Sequence, residues 1–199
     1  NPNVIGLGSR VSSIAVSFAQ GSLQRTGRAT DFAIQGDGFF VADSTTGRTY
    51  TRAGSFSTNA SGQLVTSDGY QILPNMVVPA NTTAITISQS GLVNATVGGQ
   101  TTPQQIGQIT LANFVNEAGL LAMGGNLFQQ TAASGQPVTG APADPGFGTL
   151  NQGYLESSNV DPVSEISNMI SAQRAYEMNS KVVEAASSMA GTVSNLRTS

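Results

Sequence analysis

The stretch from Asp161 to Leu196, DPVSEISNMISAQRAYEMNSKVVEAASSMAGTVSNL, reads as one long apolar-striped helix. Asp161 is a good N-cap, and Pro162 suits the first helical position, where a missing N–H is no loss. Val163, Ile166 and Ile170 follow at helical spacing. A second stripe then takes over: Ala175, Met178, Val182, Ala185, Met189, Val193 and Leu196, in the three- and four-residue steps of a coiled-coil seam. A helix of about 37 residues running to the C-terminus would be roughly 55 Å long at about 1.5 Å per residue. That exceeds the width of a small domain, so much of the apolar side needs partner helices.

Amphipathic helices most often pack on their own domain. Two features argue here for packing between molecules. The two stripes are offset around the axis, so apolar surface lies on more than one side. Charges are also sparse: Glu165, Arg174, Glu177, Lys181, Glu184 and Arg197. Glu177 and Lys181 stand four apart in the favourable order. Small residues such as Ala172, Ala186, Ser187 and Gly191 let other backbones approach closely. The expected assembly interface is Val163, Ile166, Ile170, Ala175, Met178, Val182, Ala185, Met189, Val193 and Leu196.

Upstream the pattern changes from period 3.6 to period 2. Residues 1–30 read as an extended lead-in, with Ile14, Val16 and Phe18 alternating with small residues as in a strand. Residues 31–150 read as a β-rich body. Phe39-Phe40-Val41 and Thr49-Tyr50-Thr51 flank a turn at residues 43–47, and Asn59 to Gly62 and Asp68-Gly69 mark two more turns. Ile85 and Ile87, then Val93, Ala95 and Val97, then Ile109 and Leu111 continue the alternation. Residues 132–150, rich in Pro and Gly, read as a loop. Residues 151–199 read as a linker and the assembly helix. The expected class is thus mainly β with a long C-terminal helix. Starting at Asn1 without Met, the chain is expected to be a fragment or a processed form.

Composition narrows the chemistry. Of 199 residues, 10% are charged, against a usual quarter, so Ser, Thr, Asn, Gln and Gly supply most of the polar surface. A net charge of −3 with scattered basic residues speaks against a nucleic-acid footprint. No run of residues approaches the apolar length of a membrane span. The chain has no Cys, His or Trp. That removes disulfides, thiolate chemistry, imidazole bases and the common zinc sites. Without His, a Ser nucleophile would depend on Lys181, the sole Lys, which lies mid-helix beside Ser180 but about 100° around the axis.

Other candidates have plainer readings. Gly36-Asp37-Gly38 lacks the spacing of a phosphate loop and reads as a tight turn. Asp31, Asp37, Asp43 and Asp68 could furnish a carboxylate pair, but each sits beside small residues where Asp commonly caps turns. No stretch has the alternation of a calcium loop. The expectation is a non-enzyme without metal or cofactor.

Several blocks together resemble the bacterial flagellar rod and hook axial proteins, most closely their distal-rod branch. They are Asp31 to Phe40, Tyr50 to Phe56, Gly62 to Thr66 with Asp68-Gly69-Tyr70, Ile106 to Asn116, Gln152 to Val160, and Met169 to Val183. The last is the most specific, and the resemblance covers essentially the whole chain. It implies an exported, periplasmic rod subunit of the flagellar basal body, a substrate of the type III flagellar export apparatus. Such a subunit would polymerise with itself into a helical tube, meet neighbouring rod and hook proteins, and transmit motor torque to the hook. The resemblance also implies paired terminal helices lining the tube, with the β body outside. The family's N-terminal helix and the segment after it have no counterpart in this chain. A hook protein or a proximal rod subunit is the near alternative. A secreted peptidoglycan-binding module is the alternative from another class, and it would need a pocket lined by aromatics.

Overall fold

The computed structural model describes residues 16–45, 47–100 and 102–196, with side chains described as far as Met189. The chain divides into two compact units, Asn1–Ser158 and Asn159–Ser199. The first is a β body and the second carries a single helix.

The body's strands in chain order begin with β1 (Leu23–Arg25), β2 (Phe32–Gln35), β3 (Phe39–Ser44), β4 (Gly47–Thr51) and β5 (Phe56–Thr58). Next come β6 (Leu64–Thr66), β7 (Gln71–Ile72), β8 (Thr82–Ile87), β9 (Leu92–Val97), β10 (Gln104–Gln108) and β11 (Leu111–Asn113). The last are β12 (Leu121–Gly124), β13 (Leu127–Gln129), β14 (Val138–Gly140), β15 (Thr149–Gln152) and β16 (Tyr154–Glu156). A nine-stranded antiparallel sheet runs β12-β13-β4-β3-β7-β6-β5, with β11 pairing both β3 and β14. A three-stranded sheet runs β10-β9-β8, and two-stranded pairs join β1 to β16 and β2 to β15.

Strand β3 explains how the core is organised. Its side chains alternate between faces, as pleating requires. Phe40 and Ala42 enter one buried cluster with Phe32, Ile34, Phe56 and Leu150. Phe39 and Val41 enter the other with Tyr50, Ala112 and Phe114. The sheet is therefore covered on both faces at its centre. Edge-to-face aromatic pairs knit each side: Phe40 on Phe56 at 5.0 Å and Tyr50 on Phe114 at 4.8 Å between ring centroids.

Turn chemistry follows the sequence. Asn59 accepts backbone N–H bonds from Ser61 and Gln63 through its side-chain oxygen, and Gly62 has φ 76°. Gly69, at φ 88°, turns β6 into β7. Both are the turns read from the sequence.

Other expectations give way. Of the strand expected at Ile14–Phe18, Ile14 and Ala15 lie outside the described residues, and residues 16–18 are not a strand. Phe18 instead sets its ring against Phe39 and Phe128 at 5.6 and 5.1 Å, so its apolar character serves packing rather than a ladder. The ladder at this end of the chain is β1, two residues past Gly21. Residues 132–150, read as a loop, contain β14 and the start of β15. Strand β2 pairs not with β3, which follows it, but with β15, Phe32 opposite Gln152 and Gln35 opposite Thr149. Sequence-distant pairing of this kind leaves no local signal. Residues 154–156 form β16 against β1, with Leu23 opposite Glu156.

The second unit is the helix α1, Pro162–Leu196, of 35 residues. Asp161 caps it: its Oδ1 accepts a hydrogen bond from the Val163 N–H at 3.0 Å. At about 1.5 Å per residue it is about 52 Å long.

Candidate assembly surface

Every described side chain of α1, from Pro162 to Met189, is exposed in the single chain. Eight of the ten expected interface residues are among them. Val163 is 71% exposed, Ile166 56%, Ile170 44%, Met178 65%, Val182 66% and Met189 64%. Ala175 and Ala185 are exposed as well. Val193 and Leu196 lie in the helix, but their side chains are outside the described residues.

At about 100° per residue, Val163, Ile166 and Ile170 share one side of the axis, and the stripe beginning at Ala175 occupies the adjoining side. A third row was not singled out from the sequence. Met169, Tyr176 and Val183 are exposed and stand seven residues apart, so they share a side of their own. Their heptad spacing is the signal that defines the row. Three apolar rows around one helix suit a position among several neighbours better than a seam with one. No helix among the described residues is long and apolar enough to cross a membrane.

The described candidates of the body take structural places. Gly36-Asp37-Gly38 is the β2–β3 turn, with φ 109° at Gly36 and 126° at Gly38. Asp31 is buried and accepts a 2.7 Å hydrogen bond from the Thr26 hydroxyl. Asp43 lies opposite Arg48 across β3 and β4, and Asp68 sits in the turn between β6 and β7. Among the described residues no three carboxylates gather where they could hold a metal ion. Burial raises the Tyr50 phenol above its ordinary pKa, against a smaller lowering by Arg48. Burial raises the Glu117 carboxyl too; Arg52 counters it and Asp37 adds to it.

An open groove of about 590 Å³ runs between Thr58–Gly62 and Val77–Ile85, lined by small, aliphatic and amide side chains and no aromatic. Phe39, Phe40, Tyr50 and Phe56 are at most 2% exposed, so the rings a sugar would stack on fill the core.

A strand-rich body with one long, exposed, apolar-rowed C-terminal helix fits a structural subunit, and comparison with known sequences agrees. A family profile described as the flagellar hook protein FlgE/F/G D1 domain matches residues 33–95. A second, the flagellar basal body rod FlgEFG protein C-terminal region, matches residues 151–196. The chain belongs to the flagellar basal-body rod protein family.

Within that family it is similar to rod proteins called FlgG. It is 51% identical to the FlgG of Agrobacterium fabrum over 96% of this chain and 73% of that protein. It is 53% identical to the FlgG of Caulobacter vibrioides over 97% of this chain and 74% of that protein. Against the rod protein FlgF of the same Caulobacter, identity is 34% over 86% of this chain and 66% of that protein. Two rod subunits of one organism thus differ by 19 percentage points (53 − 34) in their likeness to this chain.

Proposed function

We propose that the chain is a structural subunit of the distal rod of the bacterial flagellar basal body. Exported to the periplasm by the flagellar export apparatus, it polymerises with copies of itself into a helical tube that carries motor torque to the hook. The helix Pro162–Leu196 is its assembly element. The protein works by shape and contact, not by catalysis.

One observation carries this reading: a helix about 52 Å long whose described apolar side chains all stand exposed in the single chain. Burying an apolar side chain of this size contributes about 1.5–3 kcal/mol. Rows repeated in every subunit give a tube many such contributions, each modest alone. The greater likeness to the FlgG than to the FlgF of one organism favours one rod subunit over the other.

Electron cryo-microscopy of tubes assembled from the full-length protein tests the proposal. The expected map has the C-terminal helices packed against neighbouring subunits in the tube wall. A map with those helices projecting into solvent, or a protein that stays monomeric at high concentration, contradicts it.

A further inference from the structure

Arg52 lies just past β4 with its side chain 15% exposed, and its guanidinium reaches three separate places. Its Nε donates to Glu156 Oε2 in β16 at 3.1 Å. Its Nη1 donates to the Gly38 carbonyl at 3.2 Å, and its Nη2 to the Gly36 carbonyl at 3.1 Å, gripping both sides of the β2–β3 turn. The guanidinium carbon is 5.9 Å from the centre of the buried Phe39 ring. The other Glu156 oxygen accepts the Gly21 N–H at 2.8 Å, just before β1.

The two ends of the body meet here. Strands β1 and β16 are antiparallel, with Leu23 opposite Glu156, so the chain before β1 and the chain after β16 leave from the same end of the pair. There the Ser157 N–H donates to the Ser22 carbonyl at 2.9 Å. Gly21 is pressed so close that a Cβ on it would overlap the Ser157 carbonyl oxygen. Yet β1 and β16 form a sheet of only two strands, which is marginal on its own.

We infer that Arg52 is a positioning residue that clasps this junction, tying both departing segments through Glu156 to β3 and β4 at the centre of the nine-stranded sheet. Force applied to either segment then enters the best-packed part of the body instead of unzipping β1 from β16. The planar guanidinium fork supplies three directed donors at once; a Lys ammonium in its place keeps the charge but lacks the fork. The purpose given to the clasp rests on the torque-carrying function proposed above. Its existence does not, and the test separates the two.

The test is hydrogen exchange on the intact chain carrying R52K, R52M or E156Q. Each variant removes a hydrogen bond between charged groups and should raise exchange at residues 23–26 and 154–157 by about tenfold or more. Protection in β3 and β4 should persist, and R52K should resemble R52M rather than the parent. Unchanged exchange at the junction overturns the assignment. So does equal loss of protection through β3 and β4, or full rescue by Lys. Failure of the full-length protein to form tubes would bear on its function alone and leave this result standing.

Discussion

Replacing both Met178 and Val182 by Glu is expected to abolish rod assembly and motility without moving the thermal transition of the β body. Both side chains are about two-thirds exposed in the single chain, at 65% and 66%. The substitutions therefore remove no packing from the folded monomer. Two glutamates four residues apart repel, but by only a few tenths of a kcal/mol (about 0.2–0.5), too little to unfold a long helix. The cost falls on association. Two apolar side chains lost from a buried row forfeit about 3–6 kcal/mol per subunit, roughly a 10²- to 10⁴-fold loss in the assembly constant. Sedimentation of assembled material, swarming on soft agar and a melting curve of the isolated variant check the three parts. Normal tubes from this variant would remove Met178 and Val182 from any interface.

Replacing Gly54 by Ala has the largest effect expected in the body. Gly54 is buried, and its carbonyl accepts the Phe32 N–H at 2.9 Å. A Cβ at this position would overlap the Phe32 carbonyl oxygen, a backbone atom that cannot swing aside as a side chain would. The two backbones would have to part. Phe32, fully buried and 5.6 Å from Phe56 between ring centroids, would move with them. Overpacking of this kind costs about 3 kcal/mol or more. In a body of this size that lowers the melting temperature by roughly 10 °C. Calorimetry of the G54A chain measures it directly. A melting temperature within about 2 °C of the parent would mean that the backbones can separate at little cost, since 1 kcal/mol corresponds to a shift of a few degrees.

Local chemistry made parts of this fold readable. Asp161-Pro162 marked the start of the helix, and the spacing from Val163 onward gave its length nearly in full. Asn59, Gly62 and Gly69 announced turns because each has a specific backbone or side-chain task. Alternation in Phe39-Phe40-Val41 announced a strand, although the split of its side chains between two cores appears only in three dimensions.

What stayed hidden was long-range. Strands β1 and β2 pair with β16 and β15, more than a hundred residues away, and each strand is only three or four residues long. Segments that short carry too little periodicity to separate them from loops. Arg52 was visible only as one letter of a familiar block; its tie to Glu156 spans 104 positions. On the helix, the third row of Met169, Tyr176 and Val183 was legible in principle, since spacing alone defines it. The helix was thus written locally, and the long-range pairing of the body was not.

The chain has no native cysteine, so a single V182C substitution places one unique thiol on the helix. Maleimide labelling of that thiol, compared between free subunits and assembled rods, tests directly whether the helix is the buried element of the polymer. The expected result is rapid labelling of the free subunit and protection of at least tenfold in the rod, about 1.4 kcal/mol of burial. Equal labelling in both states, with rods confirmed intact by microscopy, would contradict it.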